Sequence, residues 1–135
     1  MKQHYHGSCQ CGKIKLTAAV QSLEMGLCHC RSCRKMNAGP VFILDAGFGK
    51  DILFEGLEHI TVYSSSERME RGFCSHCGTT VYSRLVQPDF YEIPVDIFDN
   101  LPENELTISK EFFCSSQPEY YHFVEKGQRF ETFPQ

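Results

Sequence analysis

Three thiols lie within six consecutive positions in the segment Cys28-His29-Cys30-Arg31-Ser32-Cys33, and no other feature constrains the chain as strongly. Disulfide bonds over so short a span would close strained rings. Zinc binds thiolates tetrahedrally at about 2.3 Å, with neighbouring sulfurs roughly 3.8 Å apart. An extended C-x-C would hold its side chains about 6.5 Å apart, so we expect this segment to curl around an ion. It then supplies three ligands and leaves the fourth position to another group.

The other cysteines are also grouped closely. A C-x-C stands at Cys9 and Cys11, a C-x-x-C at Cys74 and Cys77, and only Cys114 is isolated among the eight cysteines. Secreted scaffolds stapled by disulfides carry a signal peptide, and no apolar stretch of that kind follows Met1. The spacing therefore predicts metal binding rather than disulfides.

The first and last cysteine pairs are each followed by glycine, at Gly12 and Gly78. Glycine lets the backbone turn closely around a sulfur and permits a positive φ angle. Two such knuckles predict a structural zinc held by four thiolates, which are Cys9, Cys11, Cys74 and Cys77. This ion would tie the start of the chain to its middle, and its binding free energy would be folding free energy.

A second zinc is predicted on Cys28, Cys30 and Cys33. Three thiolates largely neutralise the dication, so it activates water less effectively than a zinc on neutral imidazoles. It still accepts a soft fourth ligand, and a bound thiol would be held as the nucleophilic thiolate. The site therefore suits the attack of a small thiol on an electrophile such as an aldehyde.

Two alternatives for these three thiols remain open. A histidine of this chain closes the site in the first; the candidates are His29, His76, His4 and His6. His29 suits this role poorly, because a residue between two ligands of a C-x-C tends to point away from their ion. In the second alternative the thiols join a flanking group in one four-thiolate site, and the remaining thiols stay free and prone to oxidation.

The sequence predicts a mainly β fold. Short runs rich in β-branched and aromatic residues alternate with turn signals about every ten residues, and helical periodicity is scarce. The expected strands lie within 13–20, 41–44, 52–56, 60–64, 69–73, 79–83, 90–98 and 106–113. Pro94 places its strand at an edge or a bulge. A helical turn is expected within 34–40, and the tail 117–135 is expected to be a closing loop with one helical turn, in which Phe123, Phe130 and Phe133 pack.

The length, charge and hydropathy of the chain argue against several classes of protein. The 135 residues suit one domain, 1–135, with a core of about 5–115 and a closing segment at 116–135. A net charge of −4 and a pI near 5.8 do not provide the basic surface that nucleic acid requires. No apolar run is long enough to span a membrane. We expect a soluble cytoplasmic protein whose partners are small molecules.

Several motifs together resemble the glutathione-dependent formaldehyde-activating (GFA) family, which is also called centromere-protein-V-like. They are G-x-C-x-C-G at 7–12, C-H-C-x-x-C at 28–33 and F-C-x-x-C-G at 73–78, with Y-x-S at 63–65 and R-x-F-C at 71–74. The resemblance covers about residues 5–85. The C-terminal third departs from the family pattern, since it has Glu111 to Ser116 in place of a histidine-aromatic segment, and the chain contains no tryptophan.

The resemblance implies a β-tent fold of small antiparallel sheets, with zinc knuckles and two zinc ions on the two cysteine sets given above. It also implies a carbon-sulfur lyase in which the second zinc takes the glutathione sulfur for addition to formaldehyde, giving S-(hydroxymethyl)glutathione. Arg31, Arg34 and Lys35 beside the second zinc are candidates for binding the carboxylates of an anionic thiol.

Two other functions compete with the enzyme hypothesis. In the first, both zincs only hold the fold of a binding module. In the second, Cys114 is the nucleophile of a redox enzyme similar to the B-type methionine sulfoxide reductases, which share a related zinc-bearing β fold. A single cysteine is more often a small apolar residue than a nucleophile.

Overall fold

Two β-sheets form the body of the computed structural model, which describes residues 3–125 and 127–133. The strands are β1 His4–Ser8, β2 Lys15–Ala19, β3 Glu24–Cys28, β4 Ile43–Phe48, β5 Leu53–Glu55, β6 Ile60–Ser64, β7 Met69–Cys74, β8 Thr80–Leu85, β9 Phe90–Pro94, β10 Thr107–Phe112 and β11 Gln128–Arg129. One α-helix, α1, spans Arg31–Asn37 in this part of the chain. Single 3₁₀ turns lie at Gly49–Asp51, Leu57–His59, Val95–Ile97, Glu103–Glu105 and Cys114–Ser116.

The smaller sheet is antiparallel, with the strand order β1-β2-β5. The larger sheet has the order β11-β10-β3-β4-β9-β8-β7-β6. It is mixed, because β10 pairs in parallel with both β3 and β11, whereas the other neighbours are antiparallel. The prediction of a mainly β fold with small antiparallel sheets is confirmed.

The core fills the space between the two sheets. Leu16 and Ala18 of β2 face Leu44 of β4 and Ile93 of β9, and all four are almost completely buried. Phe54 of β5 bridges the sheets, with its ring centroid 5.9 Å from that of Tyr82 and 5.7 Å from that of Tyr91. Burying these apolar side chains supplies about 1.5–3 kcal/mol each, which makes this layer the main source of stability apart from bound metal.

The opposite face of the larger sheet carries polar residues. Along β4, buried Leu44 and Ala46 alternate with exposed Asp45, since successive side chains of a strand point to opposite faces. Directly paired residues share a face, and the row through Asp45 continues across Glu92, Ser83 and Arg71. This polar face is the one on which the three-thiol segment lies, because Arg71 reaches Cys33.

Most expected strands form close to their predicted positions, but β1 and β3 were missed. The sequences HYHGS and EMGLC each contain a glycine, and only two residues of β1 and one of β3 are buried, so the alternation is weak. The edge position predicted from Pro94 was wrong, and the bulge in the pairing of β9 with β4 lies between Asp45 and Gly47 and not at Pro94. β9 lies between β4 and β8 inside the sheet, and Pro94 is tolerated because it is the last residue of the strand.

Helix α1 begins a turn earlier than predicted. Cys30 caps its N-terminus by accepting a hydrogen bond from the Cys33 amide, and Ala38 ends it in the left-handed conformation before Gly39. The helical turn predicted in the tail is wrong for the described residues, where the short strand β11 pairs with β10 instead. The tail phenylalanines pack as expected. Phe123 contacts Phe42, and both Phe130 and Phe133 stack on Phe112.

Among the helices of the described residues, none is long and apolar enough to cross a membrane.

Candidate metal centre

Cys9, Cys11, Cys74 and Cys77 come together where the loop after β1 meets the turn after β7. Their sulfurs all lie within 4.8 Å of one another. The Sγ of Cys11 is 3.6 Å from that of Cys9 and 3.8 Å from that of Cys74. Four sulfurs bound tetrahedrally to zinc lie roughly 3.8 Å apart, so this donor set fits a closed structural zinc.

Glycine turns and backbone N–H donors position the four thiols. Gly12 and Gly78 have φ angles of 81° and 80°, as predicted, and each follows a ligand pair. A Cβ at either glycine would meet nothing within 4 Å, so glycine is needed there for its conformation and not for space. The amides of Ile14 and Cys77 donate to the sulfurs of Cys9 and Cys74. The hydroxyl of Thr79, followed by backbone N–H donors, lowers the pKa of Cys77 to about 5.

Cys28, Cys30 and Cys33 form a second group on the polar face of the larger sheet. Cys28 ends β3, Cys30 caps α1 and Cys33 lies in its first turn, so the curl expected from the sequence is a strand turning directly into a helix. The three sulfurs lie within 4.8 Å of one another. Amides point at two of them, from Cys30 to Cys28 and from Cys33 to Cys30. The group fits three corners of a tetrahedral zinc site.

A buried cation accompanies the second group. Arg71 on β7 is only 7% exposed, and its Nη2 donates to the Cys33 Sγ at 3.4 Å while its Nε donates to Ser65. Hydrogen bonding with the Cys28 thiol, and after it the Arg71 guanidinium, lowers the pKa of Cys33 to about 5. The same coupling raises the pKa of Cys28. Arg71 therefore offsets the negative charge of the thiolates. Arg84 on β8 contacts neither cysteine group and pairs with Glu70 and Asp89.

No histidine or carboxylate joins the three thiols within the described residues. His4 and His6 lie on β1 of the other sheet, and His76 stays within the C-x-x-C turn. His29 is completely buried, but its ring is held elsewhere: Nε2–H donates to Glu111 at 2.8 Å, and Nδ1 lies 2.7 Å from the Tyr121 hydroxyl. The geometry leaves the fourth ligand position to a group from outside this part of the chain.

The partner of His29 is a buried carboxylate that the sequence did not reveal. Glu111 on β10 is 0% exposed, and its Oε1 accepts from both His29 and Arg129, the latter at 2.6 Å. Its Oε2 is buried without a partner. The His29, Glu111 and Cys114 ligand atoms lie within 4.8 Å of one another. We assign no metal to them, because the Arg129 guanidinium already balances the carboxylate.

Removing this carboxylate should destabilise the protein. Glu111→Ala leaves a buried His29 N–H unpaired and removes the carboxylate that balances the charge of Arg129. We therefore expect the free energy of unfolding to fall by about 3 kcal/mol. Urea unfolding at neutral pH measures the change. Glu103→Ala, an exposed carboxylate, is the matched control and should shift stability by less than about 0.5 kcal/mol. Equal urea midpoints for Glu111→Ala and wild type would contradict this assignment.

The basic residues of α1 lie on a different side of the helix from Cys33. Arg31, Arg34 and Lys35 line a cleft of about 240 Å³ together with Tyr120. Arg34 is already engaged, because its Nε donates to the His29 carbonyl at 2.9 Å. Their binding of substrate carboxylates remains a prediction, and the structure places them together in this cleft.

Comparison with known proteins shows the family to which this chain belongs. Residues 4–116 match the model of the glutathione-dependent formaldehyde-activating enzyme family. The chain belongs to the GFA family. The match extends about 30 residues beyond the stretch whose motifs resemble the family, and it includes Glu111 and Cys114.

One protein sequence and one solved structure are similar to this GFA protein over most of its length. It is 32% identical over 127 residues to a Schizosaccharomyces pombe protein named as an uncharacterized lyase, covering 93% of this chain and 90% of the relative. The crystal structure of a Rhodobacter sphaeroides protein has the same fold, with a TM-score of 0.63 and 21% identity over 77% of this chain and 99% of that one. The family and the lyase relative together support a lyase-type enzyme.

The GFA family match ends where the tail begins. Beyond it, Tyr121 and Phe123 lie against the ring of His29, with centroid distances of 5.6 and 6.2 Å. Arg129 on β11 reaches Glu111 from the same tail. The closing segment therefore packs directly behind the loop that carries Cys28 and Cys30.

Proposed function

We propose that this GFA protein is a zinc-dependent carbon-sulfur lyase that joins a small thiol to an aldehyde such as formaldehyde, with glutathione as the family's implied thiol. Two zinc ions per chain belong to the proposal. The ion on Cys9, Cys11, Cys74 and Cys77 maintains the fold, and the one on Cys28, Cys30 and Cys33 serves the reaction. When bound, zinc at the second centre supplies a soft acceptor that holds a thiol in its thiolate form at neutral pH.

The single observation behind this proposal is that three thiols meet without a fourth ligand from the described residues. Structural zinc sites close with four protein ligands, whereas sites with three keep one position for water or substrate. The other cysteine group of the same protein has its full four. This contrast favours a functional role for the incomplete centre over a second structural ion.

The protein's own residues hold this centre in place. The amides of Cys30 and Cys33 and the Arg71 guanidinium donate to its sulfurs. Hydrogen bonds of His29 to Glu111 and Tyr121 fix the residue between Cys28 and Cys30. Such supporting contacts keep ligands oriented without reorganisation, and their loss typically costs 10–100-fold in metal affinity or activity.

The proposed step balances without an oxidant. The sulfur electron pair forms a carbon-sulfur bond to the aldehyde carbon while the carbonyl π bond breaks, and the oxygen takes up a proton equivalent to the one that the thiol released. The product is an S-hydroxymethyl thioether. The reverse reaction, cleavage of the same bond, is the lyase direction.

A thiol titration tests the proposal. Protein loaded with cobalt(II) in place of zinc should gain thiolate-to-metal absorption on addition of 3-mercaptopropan-1-ol or glutathione, saturating at about one thiol per chain. The corresponding methyl thioethers, which have no thiolate form, should produce no change. With formaldehyde present, the zinc protein should accelerate adduct exchange, as measured by NMR exchange spectroscopy. If neither thiol alters the cobalt spectrum and elemental analysis finds both ions retained, the proposed function is wrong.

The redox alternative is less well supported. Cys114 donates to the Glu111 carbonyl at 3.5 Å, and burial raises the pKa of its thiol. A reactive cysteine needs a lowered pKa, because the thiolate is the nucleophile.

A further inference from the structure

The polar face of the larger sheet carries a cavity beyond the cysteine centres. Its volume is about 520 Å³, within the range of roughly 300–1,000 Å³ that small-molecule sites occupy. Its floor is formed by β3, β4, β9 and β10, and Phe130 of the tail closes one side. The fold thus provides room for a molecule larger than a simple aldehyde.

This cavity adjoins the three-thiol centre. Gly26, in its floor, precedes Cys28 by two residues on the same face of β3, and Phe112, in its wall, is paired directly with Cys28. On the other side, Glu92 lies in the same cross-strand row as Arg71, whose guanidinium donates to the Cys33 sulfur. A thiol whose sulfur reaches the open ligand position can therefore place the rest of the molecule in the cavity.

The cavity lining is predominantly negative. Glu24, Asp45 and Glu92 contribute carboxylates, and Lys110 contributes the one opposing charge among the described lining residues. Asp45 and Glu92 are directly opposed on β4 and β9, an arrangement in which like charges destabilise a sheet. Burial, and after it the charge of Asp45, raises the pKa of Glu92 to about 7.

Nearby cations offset this charge only in part: Lys110 opposes the rise in the pKa of Asp45, and Arg71 opposes the rise in the pKa of Glu92, but both pKa values remain raised. Within residues 3–125 and 127–133, neither Asp45 nor Glu92 forms an ion pair. Arg71 on the same face is committed to Cys33 and Ser65, and three thiolates with a zinc dication carry one net negative charge. The basic residues of α1 line the separate cleft and not this cavity.

We propose that this cavity binds the body of the thiol substrate and selects thiols that carry a positively charged group over anionic thiols. An ammonium group would relieve the repulsion between Asp45 and Glu92, while the apolar part of the molecule contacts Phe112 and Phe130. The inference rests on the proposed function and narrows its substrate class. Glutathione, with two carboxylates and one ammonium, should bind at this site more weakly than a thiol whose only charged group is an ammonium.

Three matched probes test the selection: 3-mercaptopropan-1-amine, 3-mercaptopropan-1-ol and 3-mercaptopropanoate, titrated into the cobalt-loaded full chain at pH 8. The ammonium thiol should bind about tenfold or more tightly than the carboxylate thiol, with the alcohol between them. In the double variant Asp45→Asn/Glu92→Gln, the dissociation constant of the carboxylate thiol divided by that of the ammonium thiol should fall about fivefold or more. Because the same ratio is compared between proteins, the difference between the two thiols in sulfur affinity for cobalt cancels.

Two further variants keep the test decisive. Glu55→Gln, an exposed carboxylate on β5 of the other sheet, should preserve the wild-type ratio. Lys110→Gln removes the cation from the lining and should increase the ratio. An unchanged ratio in both Asp45→Asn/Glu92→Gln and Lys110→Gln, or tighter binding of the carboxylate thiol to wild type, overturns the charge selection alone. If none of the probes binds wild type, the proposed function fails and the selection fails with it.

Discussion

Cys74→Ser is expected to unfold the protein. Cys74 is completely buried at the end of β7, and its sulfur lies 3.8 Å from that of Cys11 across the two loops. Serine preserves the size of the side chain but is a poor zinc ligand. Apparent binding free energies of structural zinc are about 10–16 kcal/mol in small domains, comparable to or larger than the roughly 5–15 kcal/mol by which a whole domain is stable.

Circular dichroism and elemental analysis measure this outcome. We expect Cys74→Ser to lack a cooperative thermal transition and to purify with less than about one zinc per chain. Cys114→Ser is the matched control, because Cys114 belongs to neither proposed zinc centre, and it should melt within about 5 °C of wild type. A Cys74→Ser protein that melts as cooperatively as this control would show that the four thiols are not a structural centre.

Cys30→Ser should have a different effect, removing activity while the fold persists. Cys30 is both a proposed ligand and the N-cap of α1, where its side chain accepts from the Cys33 amide. Serine is among the best N-cap residues, so the helix start is retained while the zinc ligand is lost. Since loss of even a supporting contact typically costs 10–100-fold, acceleration of thiol addition should fall by at least about 100-fold.

Zinc content separates the possible outcomes for Cys30→Ser. The expected protein contains one zinc in place of two and has a dispersed NMR spectrum. Ser32→Ala, within the same segment but not a candidate ligand, should retain both ions and full activity. Global unfolding of Cys30→Ser would assign the second centre to structure, and wild-type activity would remove it from the reaction.

The cysteine groups were the part of the site that sequence spacing could predict. Ligands of one zinc must approach within about 4 Å, and short spacings such as C-x-C and C-x-x-C achieve this by local chain geometry. The glycines after the first and last pairs predicted the positive φ angles found at Gly12 and Gly78. Local alternation likewise predicted most strands, and it failed for β1 and β3, where glycine and partial burial weaken the pattern.

The surroundings of the second centre required long-range pairing and could not be predicted. Arg71 reaches Cys33 across 38 positions, and Glu111 reaches His29 across 82. The opposition of Asp45 and Glu92 depends on the register of β4 against β9. A shift of one residue would turn either side chain to the other face, and no local pattern specifies that register.

Sequence alone therefore predicted the closely spaced cysteines and a mainly β chain, because both follow from contacts between near neighbours, whereas the approach of Cys11 to Cys74 across 63 positions depends on the fold. Tertiary structure decided what surrounds the incomplete centre: a buried arginine, a histidine held away by a carboxylate, and an acidic cavity beside it. These arise from strand order and register, which depend on packing of the whole chain.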